Sequence, residues 1–272
     1  MLDLSSFKVR ALSLCCGVLL APAALAQTVQ LQFGTTSIQL DPATLALSWA
    51  NGEVTVEANQ ATLTVAKQRQ QVTQFIQPQA STATWVLAPS QIRVQAALEN
   101  DTLSLTFDAS QSPSIERDKA MDLAWFDLPE SSSKTLYLPF NEGMRVPTDN
   151  ALWQNYLSEE YSGSNTTQDL KMPFWSQALQ PADSGAAPVY LHTLLVNPYN
   201  NRLDFEQHNH TIDMRASHQF TQLNQQQAFE VQLRLGGGEL SAAKWYRQWR
   251  EAQGVAVSLA QKIQQQPAIA GL

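Results

Sequence analysis

Ile92-Arg93-Val94-Gln95-Ala96-Ala97-Leu98-Glu99-Asn100-Asp101-Thr102-Leu103-Ser104-Leu105-Thr106-Phe107 decides the fold class. Ile92, Val94 and Ala96 alternate with Arg93 and Gln95, and Leu103, Leu105 and Phe107 repeat the alternation after a Glu99-Asn100-Asp101 turn. Successive strand side chains point to opposite faces, so a period of two marks a strand with one side in a core and one in solvent.

The same pattern extends outward in both directions. Towards the N-terminus, Val29, Leu31 and Phe33 alternate with Gln30 and Gln32, and Leu45, Leu47, Trp49, Val54, Val56, Leu63 and Val65 continue it. Asp41-Pro42 and Asn51-Gly52 punctuate these runs, and Asn51-Gly52 predicts a two-residue hairpin turn, whose positions need positive φ. Residues 108–134 read as a polar connection with a further strand inside it, Met121 to Leu128. Alternation resumes at Val189-Leu191-Thr193-Leu195, passes the Asn197-Pro198-Tyr199-Asn200-Asn201 turn, and ends at Phe229-Val231-Leu233-Leu235 before Gly236-Gly237-Gly238. Many short antiparallel strands at this spacing predict an all-β sandwich or barrel.

The C-terminal part is expected to be helical. Ser241 reads as an N-cap, Trp245 and Trp249 share one helix face with Tyr246 beside them, and Gly254 suits the left-handed C-terminal position. A second short helix is expected after Ser258 and before Pro267, with Leu259 and Ile263 inward.

The first residues read as an export signal. Lys8 and Arg10 precede an apolar run, Ala11 to Leu20, and Ala24-Leu25-Ala26 is a small-x-small cleavage site, so the mature chain is expected to begin at Gln27. The apolar run is shorter than the roughly 20 residues a membrane-spanning helix needs. Cys15 and Cys16, the only 2 cysteines, fall within this signal, and Leu14 stands where lipidation would want a small residue. Cleavage leaves no disulfide, no thiol nucleophile and no cysteine ligand, so stability must come from burial. The net charge is −7, without a basic cluster, which argues against nucleic acid and anionic membranes as partners. The expected location is periplasmic or extracellular, and the expected organisation is a signal peptide (1–26), a β domain (27–238) and a helical linker segment (239–272).

Residues 141–188 hold the weakest periodicity, with Gly143, Pro147, Gly163, Pro173, Pro181, Gly185 and Pro188 among Trp153, Tyr156, Tyr161, Phe174 and Trp175. A long irregular stretch inside a compact domain is commonly functional, and its aromatic content predicts an ordered, packed excursion. Asn141, Glu142, Arg145, Asp149, Trp153 and Trp175 are the candidate carbohydrate contacts: polar groups bond sugar hydroxyls, and indole rings stack on sugar C–H faces. Glycoside hydrolysis commonly needs two carboxylates at roughly 5–10 Å, and Glu142, Asp149, Glu159, Glu160 and Asp169 all fall in this region. Spacing does not pair any two of them, and each also reads as a turn residue or a partner of Arg145. There are 4 histidines. His208-x-His210 on one strand face would suit a metal, but no third ligand follows from the spacing, and neither a metal nor a cofactor is assigned. His192 reads as a strand residue facing solvent or a hydrogen bond. No Gly-x-Ser-x-Gly elbow occurs, and the glycine triplet lacks the lysine of a phosphate loop.

Leu138-Pro139-Phe140-Asn141-Glu142-Gly143-Met144-Arg145-Val146-Pro147, followed by Met172-Pro173-Phe174-Trp175, resembles the β-supersandwich that precedes the catalytic barrel in large secreted glycoside hydrolases of the endo-α-N-acetylgalactosaminidase-like group. Ala243-Lys244-Trp245-Tyr246-Arg247-Gln248-Trp249, Gly254, Leu259, Lys262 and Pro267 resemble the helical linker into that barrel. The resemblance covers most of residues 30–270 and implies an antiparallel, galactose-mutarotase-like β-supersandwich with a short C-terminal helical segment. It carries over no catalytic residue, because the family's catalytic carboxylates sit in the barrel. It implies a glycan and a catalytic barrel as partners, with Trp245, Tyr246 and Trp249 as candidate interface residues. Two rival readings stand beside it: a mutarotase-, epimerase- or lyase-like sugar enzyme pairing His192 or His218 with Glu142, and a cell-envelope structural module without a ligand.

Overall fold

A computed structural model describes residues 28–52, 54–128, 133–141, 143–165, 172–181, 185–208, 210–223 and 227–271. The export signal, Glu142 and Asp169 lie outside the described residues.

Strands β1 (Val29–Phe33), β2 (Thr36–Leu40), β3 (Leu47–Asn51) and β4 (Val54–Asn59) form a meander in chain order. Asn51 pairs with Val54, so the tight turn falls one residue later than the sequence predicts, with Gly52 at φ +65° and Asn51 still in its strand. After it come β5 (Thr64–Val65), β6 (Gln68–Arg69), β7 (Gln71–Gln79), β8 (Thr82–Ala88), β9 (Ile92–Glu99), β10 (Thr102–Asp108), β11 (Met121–Asp127), β12 (Ser133–Leu138) and β13 (Met144–Pro147). Helix α1 (Ala151–Glu160) follows, then β14 (Ser164–Asn165), β15 (Phe174–Leu179), β16 (Val189–Leu195), β17 (Asn201–His208), β18 (Thr211–Phe220) and β19 (Ala228–Leu235). Helices α2 (Ser241–Ala252) and α3 (Leu259–Gln265) close the chain with a short 3₁₀ turn. A nine-stranded sheet has the order β13-β12-β15-β16-β19-β10-β9-β8-β7, and a six-stranded sheet has the order β14-β17-β18-β11-β5-β6. The architecture is an all-β antiparallel sandwich with a short C-terminal helical part.

Aromatic rings join the two larger sheets. Trp125 and Phe126 of β11 both point inward, which alternation alone forbids. A register shift between Ala124 and Phe126 in the pairing with β18 permits it, as a bulge does. Trp125 then lies 6.0 Å from Trp175 and 5.8 Å from Phe229, and Phe126 lies 5.6 Å from Trp175. Strand β15 is buried at every position, so no alternation betrays it in the sequence. His218 belongs to the same core, stacked on Phe229 at 4.2 Å.

Helix α1 falls in the stretch expected to be irregular. Its N-cap, Asn150, accepts from the amides of Leu152 and Trp153, but only Gln154 and Leu157 are buried, too few for a legible amphipathic stripe. At α2, Leu240 rather than Ser241 occupies the N-cap position, and Ser241 is the first helical residue. The Ser241 hydroxyl instead accepts from the Gly238 amide at 2.9 Å. Gly237, at φ +71°, sits so close that a Cβ there would lie 2.5 Å from Ser241 Oγ, so the residue must be glycine. Helix α3 carries a Ser258–Gln261 capping box, as a start after Ser258 requires, but it has no buried face: Leu259 is 64% exposed.

Candidate functional site

The outer face of the nine-stranded sheet carries a polar row running straight across its strands. Arg145 of β13 pairs with Tyr137 of β12, Tyr137 with Ser176 of β15, Ser176 with His192 of β16, His192 with Arg234 of β19, and Arg234 with Thr102 of β10. Directly paired residues point to the same side of a sheet, so all of these side chains share one face.

The row is bonded along its length. Gly236 carbonyl oxygen lies 2.8 Å from His192 Nε2 and can only accept, so Nε2 carries the proton. His192 Nδ1 is therefore an acceptor, and the Ser176 hydroxyl donates to it at 2.7 Å. Burial holds the imidazole below its ordinary pKa, against the Gly236 bond that raises it. Arg234 Nε donates to Thr102 Oγ1 at 2.7 Å, and its guanidinium lies 4.4 Å from the Trp245 ring centre. At the other end, Arg145 bonds the Tyr137 hydroxyl, whose pKa is raised chiefly by burial. His192 is thus a hydrogen-bonded strand residue, 3% exposed, and not a solvent-facing one.

Helix α2 lies against this face. Ala242 and Trp245 pack with Phe174 and Leu194, an apolar spot on an otherwise polar surface, and Tyr246 and Trp249 flank it. Trp245 is 6% exposed. The candidate interface residues therefore meet this chain's own sheet: Trp245 is consumed by it, and Tyr246 packs at a tilt against Phe174 at 5.1 Å and stacks on Trp249 at 6.1 Å.

Two cavities lie on opposite flanks of α2. The first, about 350 Å³, is lined by Tyr137, Pro139, Met144, Arg145, Phe174, Ser176 and Glu239 among others. The second, about 300 Å³, is lined by His192, Arg234, Gly237, Ser241, Lys244, Trp245 and Gln248 among others. The first combines apolar walls with a phenol, a guanidinium, a carboxylate and a hydroxyl, the mixture a small polyhydroxylated ligand needs.

The sequence candidates are dispersed. Arg145 lines the first cavity. Asn141 instead donates to the Tyr161 hydroxyl at 2.7 Å, within an aromatic group that includes Phe140, Tyr156 and Trp153. Asp149 is an exposed turn residue before α1. Trp175 is 0% exposed. That corrects its reading as a stacking platform: its ring is spent on Trp125 and Phe126. Tyr137, Ser176 and Arg234 were not singled out, because cross-strand pairing left no signal in sequence order.

The titratable candidates separate as well. Asp149 and Glu159 stand at opposite ends of α1, roughly 15 Å apart at 1.5 Å per residue, beyond the range of a glycosidase pair. His218 is 4% exposed and its Nδ1 donates to Asn201 Oδ1 at 2.9 Å, so it has no ligand face. Elsewhere, on the six-stranded sheet, Arg215 meets Asp213 at 2.9 Å, Glu206 at 3.4 Å and Asp127 at 3.5 Å. Burial, reinforced by Asp213, pushes the Asp127 carboxyl up to about 8. His208 ends its strand and His210 sits in a turn at φ +65°. No group of three or more His, Cys, Asp or Glu side chains is arranged to hold a metal ion among the described residues. No described helix is long and apolar enough to cross a membrane.

No protein-family model matches the sequence, and no curated protein matches it. Solved structures do match. The α-N-acetylgalactosaminidase NagBb from Bifidobacterium bifidum, in complex with GalNAc, superposes with a TM-score of 0.64 at 14% identity over 88% of this chain. Its ligand-free structure gives 0.63 at 14% identity over 88%. These neighbours are glycoside hydrolases. The chain spans 41% of the length of that enzyme. At this identity the likeness is one of fold.

Proposed function

We propose that this chain is an exported, carbohydrate-associated β-sandwich module of a glycoside-hydrolase-like protein, non-catalytic by itself. Its role is to pack beside a catalytic barrel and to contact glycan at the Arg145 cavity. The observation that carries this reading is the match of 88% of the chain to 41% of a glycoside hydrolase. An all-β chain matches the β-rich part of such an enzyme, leaving the bond-breaking carboxylates to the remainder.

The mechanism is positional. Arg145 and the Tyr137 hydroxyl donate to sugar oxygens, Glu239 accepts from sugar hydroxyls, and Pro139, Met144 and Phe174 give the apolar wall a ring face needs. The test is calorimetric titration of the mature chain with galactose- and N-acetylgalactosamine-terminated oligosaccharides, beside an assay on aryl glycosides. Binding that Arg145→Ala abolishes, without hydrolysis, is expected. Hydrolysis or epimerisation of a sugar by the chain alone would contradict the non-catalytic reading.

A further inference from the structure

We propose that the second cavity is an oxyanion site, which takes the sulfate or carboxylate group of an acidic sugar. It lies on the other flank of α2 from the Arg145 cavity; the anion follows from this cavity's own cations, and its belonging to a sugar rests on the carbohydrate reading proposed above.

Its walls hold two cations. Arg234 projects from β19, and Lys244 projects from α2. Neither has a carboxylate within ion-pair distance among the described residues. Asp101 acts on Arg234 only from beyond ion-pair distance. Two like charges on one cavity wall repel, and half-burial adds a desolvation cost at Arg234. An anion in the cavity relieves both.

The geometry suits an oxyanion in particular. Arg234 is fixed by the Trp245 ring at 4.4 Å and by the bond from Nε to Thr102 Oγ1 at 2.7 Å. Those contacts hold its plane and its Nε edge, and they leave the terminal Nη groups as a preorganised fork. Lys244 and Gln248, at i and i+4, present an ammonium and an amide from one helix face. His192 adds no charge near neutral pH, because burial holds its imidazole below its ordinary pKa. The contrast with the first cavity is electrostatic. There Arg145 shares the lining with Glu239, so a neutral ligand suffices.

The test is calorimetric titration of the full mature chain with galactose 6-sulfate, glucuronate, sodium sulfate and galactose at low ionic strength. Galactose 6-sulfate or glucuronate should bind at least tenfold more tightly than galactose. Lys244→Gln should weaken that binding about tenfold, the worth of one charged hydrogen bond, and Gln248→Ala should weaken it less. Lys244 is exposed and has no ion-pair partner among the described residues, so the fold survives its loss, which circular dichroism checks. Arg145→Gln should leave the anion affinity unaltered. Sodium sulfate binding as tightly as the sulfated sugar overturns the assignment to a sugar. Equal affinity for charged and neutral sugars, or a Lys244→Gln variant that binds as the parent does, overturns the site.

Discussion

Acid should weaken this fold through His218. The imidazole is 4% exposed, stacked on Phe229 at 4.2 Å and set edge-on to Phe220 at 4.7 Å. Burial pushes its pKa from 6.5 down to about 3. The unfolded chain therefore takes up a proton below pH 6.5 that the folded chain refuses. Stability from this group is complete above pH 6.5 and is lost as pH falls towards 3. With those two values, acidification from pH 7 to pH 5 costs about 2 kcal/mol. Asp127 acts in the opposite sense, because its folded pKa is raised, so the wild-type curve alone mixes the two. The discriminating measurement is urea unfolding of wild type and His218→Gln at pH 7, 6 and 5. The wild-type advantage at pH 7 should shrink by about 2 kcal/mol at pH 5. A gap independent of pH, or an imidazole that titrates near pH 6.5 by NMR in the folded protein, would refute the buried neutral state.

The Asp127 carboxyl, pushed up to about 8, is protonated in the fold where the unfolded chain is ionised, so its contribution is lost as pH rises through 8. Between pH 7 and pH 9, wild type should lose about 1 kcal/mol relative to Asp127→Asn in the same unfolding assay. Trp245→Ala removes most of the buried contact between α2 and the sheet, a loss of about 3 kcal/mol for an indole in a small cluster. Limited proteolysis should then cut between Gly236 and Gly254 while the tryptophan fluorescence of the sandwich core persists, and simultaneous loss of both would show that α2 is integral to the β core.

The sandwich was legible because its strands are half-buried. Val94, Leu105 and Val231 announce their strands by what lies between them. Legibility failed where that condition failed. Strand β15 is buried on both faces, its polar Ser176 and Gln177 included, so no polar–apolar alternation marks it. Helix α1 buries only two residues, so its period of 3.6 never emerges, and its Asn150 cap stood alone as a signal. Trp125 and Phe126 face the core together only because a bulge lets them. The proposed ligand face was harder still. Arg145, Tyr137, Ser176, His192 and Arg234 are scattered along the chain and meet through strand register. Among the described residues, Arg145 alone of the sequence-derived contact candidates lines a cavity beside α2. Trp175 illustrates the ambiguity of aromatic residues: its size suits a sugar platform and a core equally, and here the core took it.

Glycan contact, as proposed, falls on the outer face of the nine-stranded sheet. The measurement is amide chemical-shift mapping of ¹⁵N-labelled protein spanning residues 27–272, titrated with an N-acetylgalactosamine-terminated oligosaccharide. Saturable shifts clustered at Tyr137, Arg145, Ser176 and Glu239, and lost in Arg145→Ala, are expected. Shifts confined to the α1 aromatic group, or none at millimolar ligand, would contradict it.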